Sequence, residues 1–178
     1  MKHLRARLAR FGRDGRGSLS IEAALMIPLI TWIMVTTFTY FDTFRADSTN
    51  VKAAYTVGDM LSRETEPVDA TYIEGLNTMF SYMVFAQEGT WIRVSNVGFD
   101  SSENKMVLNW TYATGSHTAA TMAELEPQIP MMSDGDTVIV VETFMPFTPA
   151  FNIGLDRMTF RNVVVTRPRF APQLLWAS

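Results

Sequence analysis

The chain has 178 residues, 47 % of them hydrophobic, with 15 basic and 18 acidic side chains, a formal net charge of −3 and no cysteine. Disulfides and thiolate metal sites are therefore excluded. Six cations (Lys2, Arg5, Arg7, Arg10, Arg13 and Arg16) precede Gly17 with Asp14 as the only acid, which leaves the remainder at about −8 and argues against a nucleic-acid partner.

Residues 1–17 read as a basic cytoplasmic leader. Residues 18–41 follow as a transmembrane helix in which Glu22 is the only charge. As a helix at about 1.5 Å per residue this run reaches roughly 36 Å, enough to cross a bilayer with some tilt. The positive-inside rule keeps the leader in the cytoplasm and exports residues 42–178. Just ahead of a membrane run, the leader's cations set topology and touch anionic lipid. Pro28 is tolerable in such a helix, and Tyr40, beyond Trp32 and Phe38, suits an interfacial belt. A cleaved secretory signal is the rival, but its apolar part covers only about 7–15 residues and ends at a small-residue site. Tyr40-Phe41-Asp42-Thr43-Phe44 offers no such site. Glu22 is the anomaly, since a carboxylate so near bilayer depth costs on the order of 1–3 kcal/mol unless it is interfacial or paired.

Beyond Phe41 the helix pattern continues. Val51, Ala54, Tyr55, Gly58 and Leu61 form one apolar stripe, so a single helix is expected from about Ser18 to Ser62. Arg63-Glu64-Thr65-Glu66-Pro67 breaks it. A second helix starts at an Asp69 cap, or alternatively at the Thr71–Glu74 capping-box spacing, and carries Tyr72, Leu76, Met79, Phe80 and Met83 on one face. Gly89 is expected to end it. Trp91 to Asp100 is strand-like, with a register shift between Val94 and Val97 that implies a bulge or bend. Met106, Leu108, Trp110 and Tyr112 alternate with their neighbours as a second strand, after a hairpin loop at Asp100–Asn104. Thr137–Phe144 and Thr159–Thr166 supply two more strands, and the link from Thr114 to Gly135 holds one helical turn around Met122–Leu125. The expected fold is α+β: a long N-terminal helix, then a second helix packed on a sheet of about four antiparallel strands.

Little here points to catalysis. His3 lies in the leader and His117, beside Ser116, in a polar loop. Zinc would need carboxylates at spacings that are not found. Asp134-Gly135-Asp136 fits a tight turn better than a Ca²⁺ loop, whose fuller ligand pattern is missing. Asn109-Trp110-Thr111 matches a glycosylation sequon but lies mid-strand. No catalytic residue, metal site or cofactor is expected.

Gly17, four intervening residues and Glu22 at the cytoplasmic edge of an apolar run resemble a type IV prepilin processing motif. The stretch from Gly15 to Leu29, with Glu22 and Pro28 six positions apart, is similar to the opening of TadE-like proteins of the tight-adherence (Flp) pilus system. Val140-Val141-Glu142-Thr143-Phe144-Met145-Pro146-Phe147 and Thr166-Arg167-Pro168-Arg169-Phe170 resemble that family's closing part, whereas Ala23 stands where relatives often carry Tyr or Phe. The resemblance implies a pilin-like minor pseudopilin of the bacterial inner membrane with a periplasmic head. It implies cleavage by a prepilin peptidase between Gly17 and Ser18, and assembly through Glu22 and Pro28. The implied partners are the major pilin, other pseudopilins, the inner-membrane assembly platform and membrane lipid, in pilus biogenesis, adhesion and biofilm formation. Two other readings stand beside it: an uncleaved single-span scaffold of the same machine, and a membrane-anchored periplasmic enzyme or ligand-binding domain. Phe144, Phe147, Phe151 and Phe160 are the aromatics expected to meet partners.

Overall fold

One α-helix, α1, runs over Arg16–Arg63 in the computed structural model, which describes residues 16–177. The leader's first fifteen residues lie outside the described part. The chain divides into two units between Asp42 and Thr43, so each is taken by itself.

In the second unit α1 buries Asn50, Ala53, Ala54, Val57, Gly58 and Leu61. These recur at three- and four-residue intervals, as one helix face requires. Tyr55, expected in this stripe, is instead exposed. Small side chains, not the largest apolar ones, define the face because the helix sits close on the sheet. A Cβ on Gly58 would lie 2.9 Å from Val164 Cγ1, and Thr143 Oγ1 reaches Asn50 Oδ1 at 3.5 Å.

After the break, α2 covers Ala70–Met83. Asp69 caps it as expected, its Oδ1 accepting from the Tyr72 N–H at 2.7 Å. Ile73, Leu76 and Phe80 are buried, while Tyr72, Met79 and Met83 flank them half-buried. The helix does not extend to Gly89. Phe85 takes a left-handed backbone (φ 52°), and the Phe85 and Ala86 N–H groups close back onto the Tyr82 and Ser81 carbonyls at 3.3 and 3.1 Å. That is a Schellman closure with a phenylalanine where glycine is preferred.

Four strands follow: β1 (Trp91–Asp100), β2 (Lys105–Ala113), β3 (Thr137–Phe147) and β4 (Met158–Thr166). They form one antiparallel sheet in the order β2-β1-β3-β4. Between β2 and β3 the chain crosses β1 through α3 (Met122–Leu125) and a 3₁₀ turn (Glu126–Gln128). This link covers the sheet's second face: Ala120, Leu125 and Ile129 pack on Val97, Val138 and Val140. The helices cover the first face, over Ile92, Val94, Ile139, Val141 and Met145.

The register slips between Asn96 and Val97, inside the expected interval, but the extra residue belongs to β2. Asn96 pairs with Trp110 and Val97 with Leu108, leaving Asn109 as the bulge. Asn109 Nδ2 donates to Asn96 Oδ1 at 2.6 Å. The slip turns β2 over. Met106 and Leu108 pack under the crossover link, whereas Trp110 and Tyr112 pack against the helix-side core. The even alternation of these four residues had put them on one face.

The C-terminal segment returns to the α1–α2 break. Val68 pairs with Trp176, whose ring meets Trp110 and Tyr112 at 5.0 and 5.3 Å, and the Trp110 indole donates to the Leu174 carbonyl at 2.8 Å.

Candidate functional site: the apolar half of α1

The first unit presents α1 alone among the described residues. Leu19, Ile21, Leu25, Ile27, Trp32, Met34, Phe38 and Phe41 are exposed, on every side of the helix. By length and composition this segment is able to cross a membrane. Its threonines suit an apolar setting, because Thr31 Oγ1 and Thr39 Oγ1 bond back to the Ile27 and Val35 carbonyls at 2.8 Å.

All four residues singled out from the sequence fall on this one helix. Gly17 and Ser18 occupy its first turn as helical backbone. Glu22 is exposed, with no hydrogen bond or ion pair to any described residue. Pro28 stands inside the helix, where it cannot donate to the Ala24 carbonyl. At 3.6 residues per turn, Met26, Leu29, Ile33, Thr36 and Tyr40 lie within about 40° of Glu22, and Pro28 about 120° away. The helix therefore does not bring Glu22 and Pro28 onto one face. It offers a carboxylate at the start of a long apolar line, to which a second helix could pair a cation or a hydrogen-bond donor.

The head holds a polar cluster that the sequence reasoning missed. Glu142, fully buried on β3, is held across three strands. Arg93 on β1 reaches both of its oxygens, Nε to Oε2 and Nη2 to Oε1, each at 2.8 Å, and Arg161 on β4 reaches Oε1 at 2.7 Å. Burial pulls the Arg93 guanidinium's pKa down, but the bonds to Glu142 and the attraction of Glu142 and Glu124 outweigh it and carry it up. Both guanidinium groups lie over the Phe144 ring, at 5.5 and 5.9 Å, and Phe144 stacks on Trp91, which stacks on His117. Both Glu142 oxygens are occupied, so the cluster clamps β1, β3 and β4 in register. A lone acid in an otherwise apolar strand, with one arginine in each of two others, was the available signal.

Of the suspected partner-binding aromatics, Phe144 is buried and Phe147 packs on Phe160 at 5.5 Å, which leaves Phe151 at the surface. A shallow hollow of about 270 Å³ lies beside Gly98, Asp100, Asn109 and Asp136. Its carboxylates already have partners: Asp100 accepts from Ser102, which holds its pKa low, and Asp136 accepts from the Ser133 N–H and Arg167. Gly135, at φ 72°, makes the tight turn expected there. No group of three or more His, Asp or Glu is placed to hold a metal among the described residues.

Comparison with protein-family models, with curated proteins and with solved structures gives no match for this chain.

Proposed function

We propose that the chain is a TadE-like minor pseudopilin of a tight-adherence pilus, anchored once in the bacterial inner membrane with its head in the periplasm. The observation that carries this reading is Glu22: exposed and unpartnered among the described residues, five positions after Gly17, at the start of an apolar helix that continues into an α+β head. An isolated carboxylate in lipid is heavily penalised, while a paired one fixes how two helices are staggered. Cleavage after Gly17 removes the cationic leader and leaves an α-amino group on Ser18. In an assembled row of helices that amine is the natural partner for a neighbour's Glu22. The chain thus acts by interaction, through α1 with the major pilin, other pseudopilins and the assembly platform.

The intact mass of the protein from its native membrane, with the prepilin peptidase present and deleted, tests the reading. Loss of the first seventeen residues only when the peptidase is present is the expected result. A full-length mass in both strains overturns cleavage and leaves the uncleaved scaffold. One observation favours that second reading: the Gly17–Ser18 bond lies in helical backbone, so the first turn of α1 must unwind before a peptidase can cut it.

A further inference from the structure

The two edges of the head's sheet differ. On β2 the Asn109 bulge interrupts the edge and Lys105 opens it, both of which blunt strand pairing. On β4 nine residues pair with β3 without a break, and the strand holds no proline and a single charge, Arg161. No described segment makes a backbone hydrogen bond to its outer side. The register shows which groups that side presents. The Phe99 N–H donates to the Asp136 carbonyl at 3.1 Å, so the hydrogen-bonded pairs of β1 and β3 include Val97 with Val138, Ser95 with Val140 and Arg93 with Glu142. The alternate residues of β3 therefore turn to β4, where Val141 meets Val164, Thr143 meets Asn162 and Met145 meets Phe160 through the backbone. Pro146, which has no N–H, falls on the β1 side beyond Trp91, where no donor is needed. Thr159, Arg161, Val163 and Val165 are left with N–H and C=O groups pointing away from the sheet.

On the first face, the head half of α1 lines this edge with an apolar rim. Gly58 abuts Val164. At 3.6 residues per turn, Val51 lies about 20° and Tyr55 about 60° further round, away from the buried Ala53 and Ala54. Tyr55 is 62 % exposed there. α2 lies on the other side, over β1 and β2, where Glu74 meets Tyr112 and Asn77 meets Thr90. On the second face, Arg161 uses only Nη2, which reaches Glu142 at 2.7 Å and Gln128 at 3.4 Å, and its Nε and Nη1 bond no described residue. Glu142 is shared with Arg93, and Glu124 is held by Arg93 as well. Neither Asp47 on α1 nor Asp156 ahead of β4 pairs with Arg161.

We propose that β4 takes an extended segment of a partner protein as a fifth strand. That segment alternates apolar residues, facing the rim of Val51 and Tyr55, with polar ones that include a carboxylate for Arg161. Strand addition draws affinity from the backbone and specificity from alternate side chains. Arg161 sets the charge of the partner, because its two unused nitrogens suit a carboxylate. Left open, an edge with the run Val163-Val164-Val165 is an aggregation hazard, and a partner strand removes it. The head alone carries this site, so the inference does not rest on the pilus reading.

Amide exchange of the isotope-labelled full chain in detergent tests this. The probe is the acetylated and amidated peptide Thr-Val-Glu-Val-Thr-Val-Thr. With the peptide on about nine-tenths of the chains, exchange at Arg161, Val163 and Val165 should slow about tenfold. Asn162 and Val164, already bonded to β3, should not change. Lysine in place of the peptide's glutamate should weaken binding about tenfold, and Tyr55→Ser should weaken it severalfold. Val163→Pro removes an outward N–H and should abolish the slowing, while protected Asn162 and Val164 amides show that the head is folded. No slowing at about 1 mM peptide overturns the proposal. So does equal binding of the lysine peptide, because the carboxylate then plays no part. Slowing that appears without peptide and grows with protein concentration assigns the edge to a second copy and also overturns it. The two peptides and Tyr55→Ser decide the outcome even where Val163→Pro unfolds the head.

Discussion

Within α1, the segment from Leu19 to Met34 exposes Leu, Ile, Met and Trp all around its circumference, while the segment from Asn50 to Ser62 buries one stripe of mostly small residues. The first half has large side chains and no packing partner in its own unit. The second half has small ones and a sheet pressed against them. Apolar size and apolar placement therefore report different surroundings. All-round bulk fits the lipid that the proposed location supplies, whereas a one-sided stripe of Ala and Gly fits close contact with protein. A single helix is long and apolar enough to cross a membrane in one part and a core element in the other because its composition changes near Asp42.

The largest expected effect lies in the head's polar clamp, which has no counterpart in the apolar half. Glu142→Gln keeps the shape and removes the charge, leaving Arg93, almost fully enclosed, facing an amide. Breaking a buried pair on one side costs about 3–5 kcal/mol, a fall of roughly 10–20 °C in the thermal midpoint for a head of this size. Calorimetry of the full chain in detergent reads it directly. A midpoint that does not move would mean the clamp contributes no net stability.

A paired substitution sharpens the contrast along α1 itself. Gly58→Leu drives a side chain into Val164 and should destabilise the head by about 1–3 kcal/mol, although leucine is the better helix former. Ala24→Leu, on the exposed apolar half, should leave the midpoint where it is. Equal effects at the two positions would erase the distinction between the halves.

Much of this was legible in the sequence. Periodicity located both helices and all four strands, and the aspartate before α2 was recognisable as a cap because its role is local. What escaped depends on partners distant in sequence. Tyr55 counts as apolar in any periodicity, but the closeness of β4, which only Gly58 hints at, decides which face α1 buries. The bulge at Asn109 is invisible in β2, because Met106, Leu108, Trp110 and Tyr112 alternate on paper as they would in a flat strand. The end of α2 was placed at a glycine because left-handed caps favour one, and Phe85 takes that conformation despite the strain. The clamp on Glu142 needs three strands in register before its charges meet. For the candidate site, the sequence named Gly17, Ser18, Glu22 and Pro28, and the structure adds their helical setting and the exposure of Glu22, which pairs with no described residue.

The smallest effect concerns the contact between the end of α1 and α2, again confined to the head half. The Tyr72 hydroxyl donates to Glu64 Oε2 at 2.7 Å, and burial first, then that carboxylate, pushes its pKa up to about 12. An unfolded tyrosine titrates near 10. The folded head thus holds this proton more tightly than the unfolded chain does, so the stabilisation is whole below pH 10 and is lost as pH rises from about 10 to 12. Tyr72 is only half-buried, which keeps the contribution small. Tyr72→Phe should lower stability slightly at neutral pH and flatten the decline above pH 10. Tyr112, raised by burial and then by Glu74, leaves a residual slope. Urea unfolding at pH 7, 10 and 11.5 separates the two tyrosines, and an unchanged slope in Tyr72→Phe would assign the alkaline sensitivity elsewhere than the α1–α2 contact.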